Sequence, residues 1–481
     1  MATEYPEWVL KHKKPGTAIY PIRGKYYLYE STSQWDPEKK RAKHITGKYL
    51  GRITEDGGLI PPKAKKNDDK PVSIQVKEYG LSTFIKNEMT DDIEKLTEIF
   101  PDEYKRIIVM ALARLLHQAP LKNMQFVYEH SFLSEIYPNL TMNDKVLGTL
   151  LRDIGRDRAR NISYLKNFIK VEETLLVDVT NLISQSDNLD IAQVGYNSHR
   201  IYEPQINLLC IFSATSHRPI YYRMVPGNIR EISAFRLSMI ESGIKDVIAI
   251  GDKGFYSKAN VDAMNSENMH FILPLRRNLS LIDYSPVEVS QKMGFEGTFR
   301  YENRHIWHHK HEVDGMTLHL FLDDRLRSEE EKDYLDRVDD NVDDKYTLEG
   351  YREHYNRFGT LAILTNRNDL TSKQIYEHYK SRNEIEIMFD EMKTVLKMDT
   401  TYMQNPEALE GWMFINFIAL TWFYALYRRL LEKEMLKKNS PMDIIKRLNE
   451  IKKVKIDGKW HYAETTSNTK ALMSKLGIDI T

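Results

Sequence analysis

The pattern that most restricts this chain begins near residue 172, where short apolar runs alternate with helical stretches. Residues 174–180 (TLLVDVT), 205–214 and 219–226 read as three strands, 232–242 as a helix, 246–251 (DVIAIG) as a strand, 258–266 as a helix and 270–274 as a short strand. Three strands followed by strand–helix units predict an α/β fold with a mixed sheet flanked by helices. The rhythm breaks between about 278 and 358. There, 297–310 and 315–322 alternate like an antiparallel hairpin, and 328–344 is a very acidic helical stretch. It resumes with a strand at 359–366, a long helix at 372–396 and an apolar helix at 407–434.

With 481 residues, the chain is too long for one compact core. Its texture predicts a small basic β-rich domain at 1–70, expected to bind DNA, and a helical domain at 71–170. The α/β core then falls in two parts, 171–277 and 359–434, around a β-rich insertion with an acidic helix at 278–358; a helical tail follows at 435–481. A linker is expected at 61–71, PPKAKKNDDKP.

The formal net charge is zero, with 69 basic and 69 acidic residues, which by itself does not favour nucleic-acid binding. Nucleic acid responds to local patches, however. Residues 1–70 hold 15 Lys and Arg against 9 Asp and Glu, an excess of 15 − 9 = 6. Lys39, Lys40, Arg41, Lys43, Lys48 and Arg52 are interleaved there with Tyr26, Tyr27, Tyr29 and Tyr49. Such a sheet either grips a DNA backbone or is a solvated meander without a partner. Arg152, Arg156, Arg158 and Arg160 pose the same choice between a DNA-facing surface and a solvated helix end.

The single cysteine, Cys210, excludes an intramolecular disulfide and lies in an apolar run, so a buried inert thiol is expected. No apolar signal region opens the chain. With the lone cysteine, this points to a reducing compartment such as the cytoplasm. The run 412–427 is shorter than the roughly 20 residues a bilayer needs and contains Asn416 and Thr421, so a buried core helix is expected and no membrane partner.

Asp178 and Asp252 each close an apolar strand in this reading. Carboxylates there point into the crevice where α/β proteins place ligands, although each alone also suits a cap or turn. The helix at 372–396 adds Tyr379, Arg382, Glu386 and Lys393, spaced 3, 4 and 7 apart. At about 100° per residue they share one face within roughly 60°. Ion pairs on a wet helix are the plain alternative. Asp390 lies on the same stripe as a reserve candidate.

That helix resembles the Y-x2-R-x3-E-x6-K signature of bacterial insertion-sequence DDE transposases, the insertion sequence 4 superfamily. Tyr379, Arg382, Glu386 and Lys393 fill its four positions. Asp178 in LLVDVTN resembles the family's first aspartate, which ends the first strand of an RNase H-like fold. Asp252-Lys253-Gly254-Phe255-Tyr256 resembles its second motif, and Pro226-Gly227-Asn228 its short GN segment. The resemblance covers about 172–430. It implies an RNase H-like core with a β-rich insertion before the glutamate, matching the 386 − 252 = 134 positions that separate Glu386 from Asp252.

The resemblance implies catalysis by Asp178, Asp252 and Glu386. Three carboxylates suit two divalent ions, Mg²⁺ or Mn²⁺, rather than zinc. Asp178 is expected to bridge both ions, with Asp252 and Glu386 each holding one. Two such ions support in-line displacement at phosphorus, first by water and then by a 3′-hydroxyl. Tyr379, Arg382 and Lys393 are expected at phosphates, with Lys253, Lys39, Lys40 and Arg41 as further DNA contacts. Trp307 is either an aromatic for a flipped base or a packed strand residue. His305, His308, His309 and His311 fall on both faces of a strand and read as polar hairpin residues rather than a metal site.

The expected activity is cut-and-paste DNA transposition on terminal inverted repeats and target DNA, by a homodimer in a synaptic complex. Competing readings are an RNase H-like nuclease without strand transfer, and a catalytically silent DNA-binding derivative.

Overall fold

The computed structural model describes residues 4–36, 39–62, 74–170, 173–195, 202–228, 231–244, 248–266, 268–340 and 342–479. Most of the expected linker, and the first two residues of the strand expected at 246–251, lie outside them. The chain divides into two compact units, Met1–Ser73 and Ile74–Thr481.

The first unit is a four-stranded antiparallel sheet of Thr17–Ile22, Lys25–Asp36, Arg41–Thr54 and Gly58–Ile60, in chain order. Arg23 and Gly24 both have positive φ (+50° and +72°). That is the two-residue turn whose twist matches a hairpin. The core is small: Val9, Ile19, Leu28 and Ile53, edged by Trp8, Tyr26, Leu50 and Leu59.

The second unit is built on one large mixed sheet. Its main strands are β1 Thr174–Ser184, β2 Pro204–Ser213, β3 Arg218–Pro226, β4 Ile248–Ile250, β5 His270–Pro274, β6 Gly297–Tyr301, β7 Arg304–Val313, β8 Met316–Asp323 and β9 Thr360–Thr365. The core order is β3-β2-β1-β4-β5. Strand β2 is antiparallel to β1 and β3, while β1, β4 and β5 are mutually parallel. This is the RNase H-like arrangement. Strand β2 is buried almost throughout and β1 over its first four residues, because both faces of the sheet are covered there.

Strands β6, β7 and β8 do not form a separate layer. They run as a meander that joins β5 through β9, so the inserted segment extends the core sheet. The stretch expected as one strand over 297–310 is two strands folded at Glu302–Asn303, where Glu302 has φ +51°.

The helix Pro406–Glu432 is long and apolar enough to cross a bilayer, yet 89% of its apolar window is buried within the protein. It crosses the helix Asp144–Arg156 at two glycines. A Cβ on Gly155 would fall 1.8 Å from Glu407 O, and one on Gly411 2.1 Å from Leu151 O. The buried Arg114 donates to Asn416 Oδ1 at 2.6 Å, which accounts for the polar residue in this apolar helix.

The tail differs from the helical expectation. Between the helices Pro441–Glu450 and Ser467–Leu476, Lys452–Ile456 and Lys459–Tyr462 form a hairpin. Its first strand pairs with Ile74–Glu78, so the region expected to be helical from 71 opens with a strand. The signal was local: Asp457-Gly458, both at positive φ, is a two-residue turn between alternating residues.

Candidate active site

Asp178 is not at the end of its strand. Strand β1 continues to Ser184, and Asp178 pairs with Cys210 in its interior. Thr180 and Asn181 suggest a turn, but they are tolerated because β2 keeps pairing with β1 there. On the other side β4 stops, its last residue Ile250 lying beside Leu176. Asp252 follows two residues later, and its charge raises the Asp178 pKa, so the two carboxyls are electrostatic neighbours. Both aspartates lie just past the last pair of β1 and β4, at the crevice expected of an α/β sheet.

The helix expected over 372–396 is two helices, Ser372–Lys380 and Asn383–Thr394. The Ser381 hydroxyl donates to His378 O at 2.6 Å. In an unbroken helix that carbonyl would accept from the N–H of Arg382. Arg382 N–H instead donates to Tyr379 O, Glu384 N–H to Ser381 O and Ile385 N–H to Arg382 O, a tighter turn of i to i−3 bonds.

At that turn Arg382 projects toward the sheet. Its Nη1 donates to Asp178 Oδ2 at 2.9 Å, and its Nη2 donates to Glu386. One guanidinium thus joins the first and third carboxylates. Burial pushes the Asp178 carboxyl up from 3.8 to about 6; Arg382 opposes the shift, and Asp252 and Glu386 add to it. Burial likewise raises the Tyr379 phenol, with Arg382 opposing and Asp252 and Glu386 reinforcing. The three carboxylates, Tyr379 and Arg382 therefore share one electrostatic field.

Lys393 and Asp390 lie further along the helix. Burial lowers the Lys393 pKa, and the charges that oppose this are Asp390 and Asp399. Asp390 is exposed and is not among the groups acting on Asp178. Lys253 is exposed in the turn after Asp252, whose Oδ1 accepts from Gly254 N at 2.5 Å. Gly227 is wedged against β2: a Cβ there would meet Gln205 O at 2.2 Å.

Trp307 donates to Asp324 Oδ2 at 3.2 Å and carries Lys292 over its ring at 5.2 Å, a packed position whose partners are outside the carboxylate group. The histidines split between faces. His308 lies by Phe299, while His309 and His311 stack on the opposite side. Lys39 and Lys40 form the turn between the two long strands of the first unit, and Arg41 opens the second. Cys210 is fully buried and its thiol is pushed up by burial.

Two arginines of the expected basic cluster turn inward. Arg160 pairs with Glu103, and Arg158 with Glu241 and Glu410. Arg156 pairs with Asp153 on the surface. That inward network is the feature the sequence concealed.

Among the described residues, no three His, Cys, Asp or Glu side chains are gathered closely enough to hold a metal ion. The donor set still fits a hard dication. It is three carboxylate groups in one field, one of them driven toward its neutral form, with Arg382 standing in as the local cation. Glu386 is half exposed, so the group opens to the surface instead of lining an enclosed cavity. A cavity of about 790 Å³ bordered by Glu94, Phe168, Arg218 and Arg428 includes none of the three.

Residues 169–422 match the transposase DDE domain family, more than half of the chain. The chain belongs to that family. The matched DDE domain spans β1 to β9 and most of the helix Pro406–Glu432, and all three carboxylates lie within it. Among solved structures, a piggyBac transposase synaptic complex with hairpin DNA is similar at 11% identity. The likeness covers 78% of this chain and 80% of that one, with a TM-score of 0.42. A comparison with curated proteins found no match.

Proposed function

We propose that this chain is a DDE transposase of the insertion sequence 4 type, cutting element ends and joining them to target DNA through Asp178, Asp252 and Glu386. The observation that carries the reading is the convergence on Arg382. It bonds Asp178 and Glu386 from a tightened helix turn, and Asp252 acts electrostatically on the same Asp178 carboxyl.

The bound dications would activate an attacking oxygen and stabilise a leaving one. Asp178, Asp252 and Glu386 would hold them, which requires Arg382 to release its two carboxylates. Arg382 is then free to present its fork to a phosphate, with Tyr379 beside it and Lys393 further along the strand of DNA. Because joining uses the groups that cleave, one site serves both steps. The open carboxylate face suits a polymer better than a small molecule. Terminal inverted repeats and target duplex are the partners, and holding two ends together calls for a homodimer.

A pre-cut element end incubated with Mg²⁺ and a target duplex tests this reading. Joined product is expected. Cleavage of intact ends without any joining would replace it with a nuclease, and binding without either reaction with a silent derivative.

The carboxyl of Asp178 also sets a pH dependence. With its pKa raised to about 6, it holds a proton at lower pH and competes with cation binding. At sub-saturating Mg²⁺, cleavage is expected to rise with pH through about 6. The rise should move to lower pH as Mg²⁺ is increased, because the cation favours the ionised form. A profile indifferent to Mg²⁺ concentration would detach Asp178 from the metal.

A further inference from the structure

In the N-terminal unit, Lys25–Asp36 and Arg41–Thr54 outrun their neighbours. The strand Thr17–Ile22 covers the first only as far as Glu30, and Gly58–Ile60 covers the second only over Arg52–Thr54. The six pairs from Ser31↔Thr46 to Asp36↔Arg41 continue as a two-stranded ribbon, with no third strand beside it among the described residues. At about 3.3 Å per residue it is roughly 20 Å long.

This ribbon buries nothing. The unit's core residues Val9, Ile19, Leu28 and Ile53 all lie outside it. Residues 32–35 and 39–48 are exposed, Trp35 by 63%. A lone hairpin is marginally stable, and this one is fastened at its base. Ser31 N–H donates to Gly16 O at 2.7 Å, the Tyr20 and Thr46 hydroxyls meet at 2.6 Å, and Ser31 Oγ meets His44 Nε2 at 2.5 Å. The outer part is thus an anchored arm whose side chains do no packing.

Its chemistry is mainly basic. From 39 through 54 the sequence has Lys39, Lys40, Arg41, Lys43, Lys48 and Arg52 and no Asp or Glu, against the single acid Asp36 on the outer half of the facing strand. The register sets Thr32, Gln34, Asp36, Arg41, Lys43 and Ile45 on one face, with Asp36 opposite Arg41, and Ser33, Trp35, Ala42 and His44 on the other. Two strands about 4.8 Å apart, with their side chains, fit a major groove about 12 Å wide and are too broad for a minor groove of about 6 Å. Gln matches adenine and Arg or Lys matches guanine on major-groove edges.

We infer that this ribbon enters the major groove of duplex DNA, with Gln34, Arg41 and Lys43 toward the base edges and Lys39 and Lys40 toward the phosphates. The inference rests on reading the chain as a transposase that binds element ends. It adds which segment reads them and in which groove.

The test uses the full chain, a duplex carrying the element's terminal repeat and an unrelated duplex of equal length. The double substitution Gln34→Ala and Lys43→Ala is expected to cut the preference for the terminal repeat by about 10- to 100-fold. Lys39→Ala with Lys40→Ala should weaken both duplexes alike and flatten the salt dependence. Unfolding temperatures should match the parent protein, since these side chains bury nothing. Unchanged preference and unchanged salt slope in the two variants would overturn the inference. So would an effect on oligomeric state with DNA binding intact, which would make the arm a contact between copies. Loss of the preference in the variants, with a parent protein that binds the terminal repeat but neither cleaves nor joins, would spare the ribbon and sink the transposase reading. Normal cleavage with undiminished preference in the variants would do the reverse.

Discussion

Asp178→Asn is expected to abolish magnesium-dependent cleavage of element ends and, in the absence of metal, to make the protein no less stable. Loss of an outer partner of a metal ligand costs about 10- to 100-fold. Loss of a carboxylate that would itself hold the ions should exceed that, at about a thousandfold or more, on the order of 4 kcal/mol in the barrier. Stability moves the other way. A carboxyl raised from 3.8 to about 6 in the fold contributes stability that is fully present below its unfolded pKa and lost as pH rises through about 6. At pH 7.5 the ionised Asp178 therefore opposes folding, by up to about 3 kcal/mol. Asparagine removes that opposition and retains an oxygen for Arg382. Thermal unfolding without metal should show Asp178→Asn at or above the parent at pH 7.5, with the difference closing near pH 4. An active variant would remove Asp178 from the catalytic group. A variant destabilised at pH 7.5 would mean that its bond to Arg382 outweighs its burial. Asp390→Ala is the control and should cleave normally.

The same conflict between site and fold explains what could be read from the residues. Strand β2 was expected at 205–214 and lies at Pro204–Ser213; β3, expected at 219–226, is Arg218–Pro226. Apolar runs mark strands buried on both faces; β2 is buried almost throughout and β3 over Pro219–Tyr222. Glu386 stood out because Arg382 precedes it by four positions, and those two side chains do meet. The signals failed where a polar residue has an unusual reason to be present. Thr180 and Asn181 look like the end of a strand, yet β1 runs on because only its β4 side is released. Ser381 looks like an ordinary helix residue, yet its hydroxyl takes a carbonyl from the helix and aims Arg382 at Asp178. The exposed ribbon has no core residues, so hydrophobic periodicity marks neither its outer strand residues, 31–36 and 41–43, nor their lack of a covering strand among the described residues.

Arg158 is the sharpest such case, and replacing it should damage the fold more than any surface arginine. It opens the helix Arg158–Lys166, and its guanidinium joins that helix to three other elements. Nε donates to Glu241 Oε1 at 3.0 Å and Nη2 to Glu241 Oε2 at 2.9 Å. Nη1 donates to Glu410 Oε1 at 2.6 Å, and Nη2 also donates to Tyr222 O at 3.0 Å. Glu241 belongs to the helix Glu231–Ser242, Glu410 to Pro406–Glu432 and Tyr222 to β3. The Tyr222 hydroxyl donates to Glu410 Oε1 at 2.8 Å, closing the network. Arg158→Met keeps the length, leaves Glu410 without its cation and leaves Glu241 with Arg223 alone. Breaking a buried pair from one side costs about 3–5 kcal/mol, so Arg158→Met should unfold at markedly lower temperature or denaturant than Arg152→Met. Burial raises Glu241, but its bonds to Arg158 and Tyr221 outweigh this and hold it below its ordinary value. Its contribution is therefore present above the unfolded pKa and lost only as pH falls through that depressed value. Without Arg158 the Glu241 carboxylate would take up its proton at higher pH instead, so the deficit should narrow as pH falls from 7.5 toward 4.5. Replacing Glu410 by Gln in the Arg158→Met background should recover part of it. A deficit below about 1 kcal/mol, the scale of an exposed pair, would show that the network is solvated and that Arg158 belongs to the surface after all.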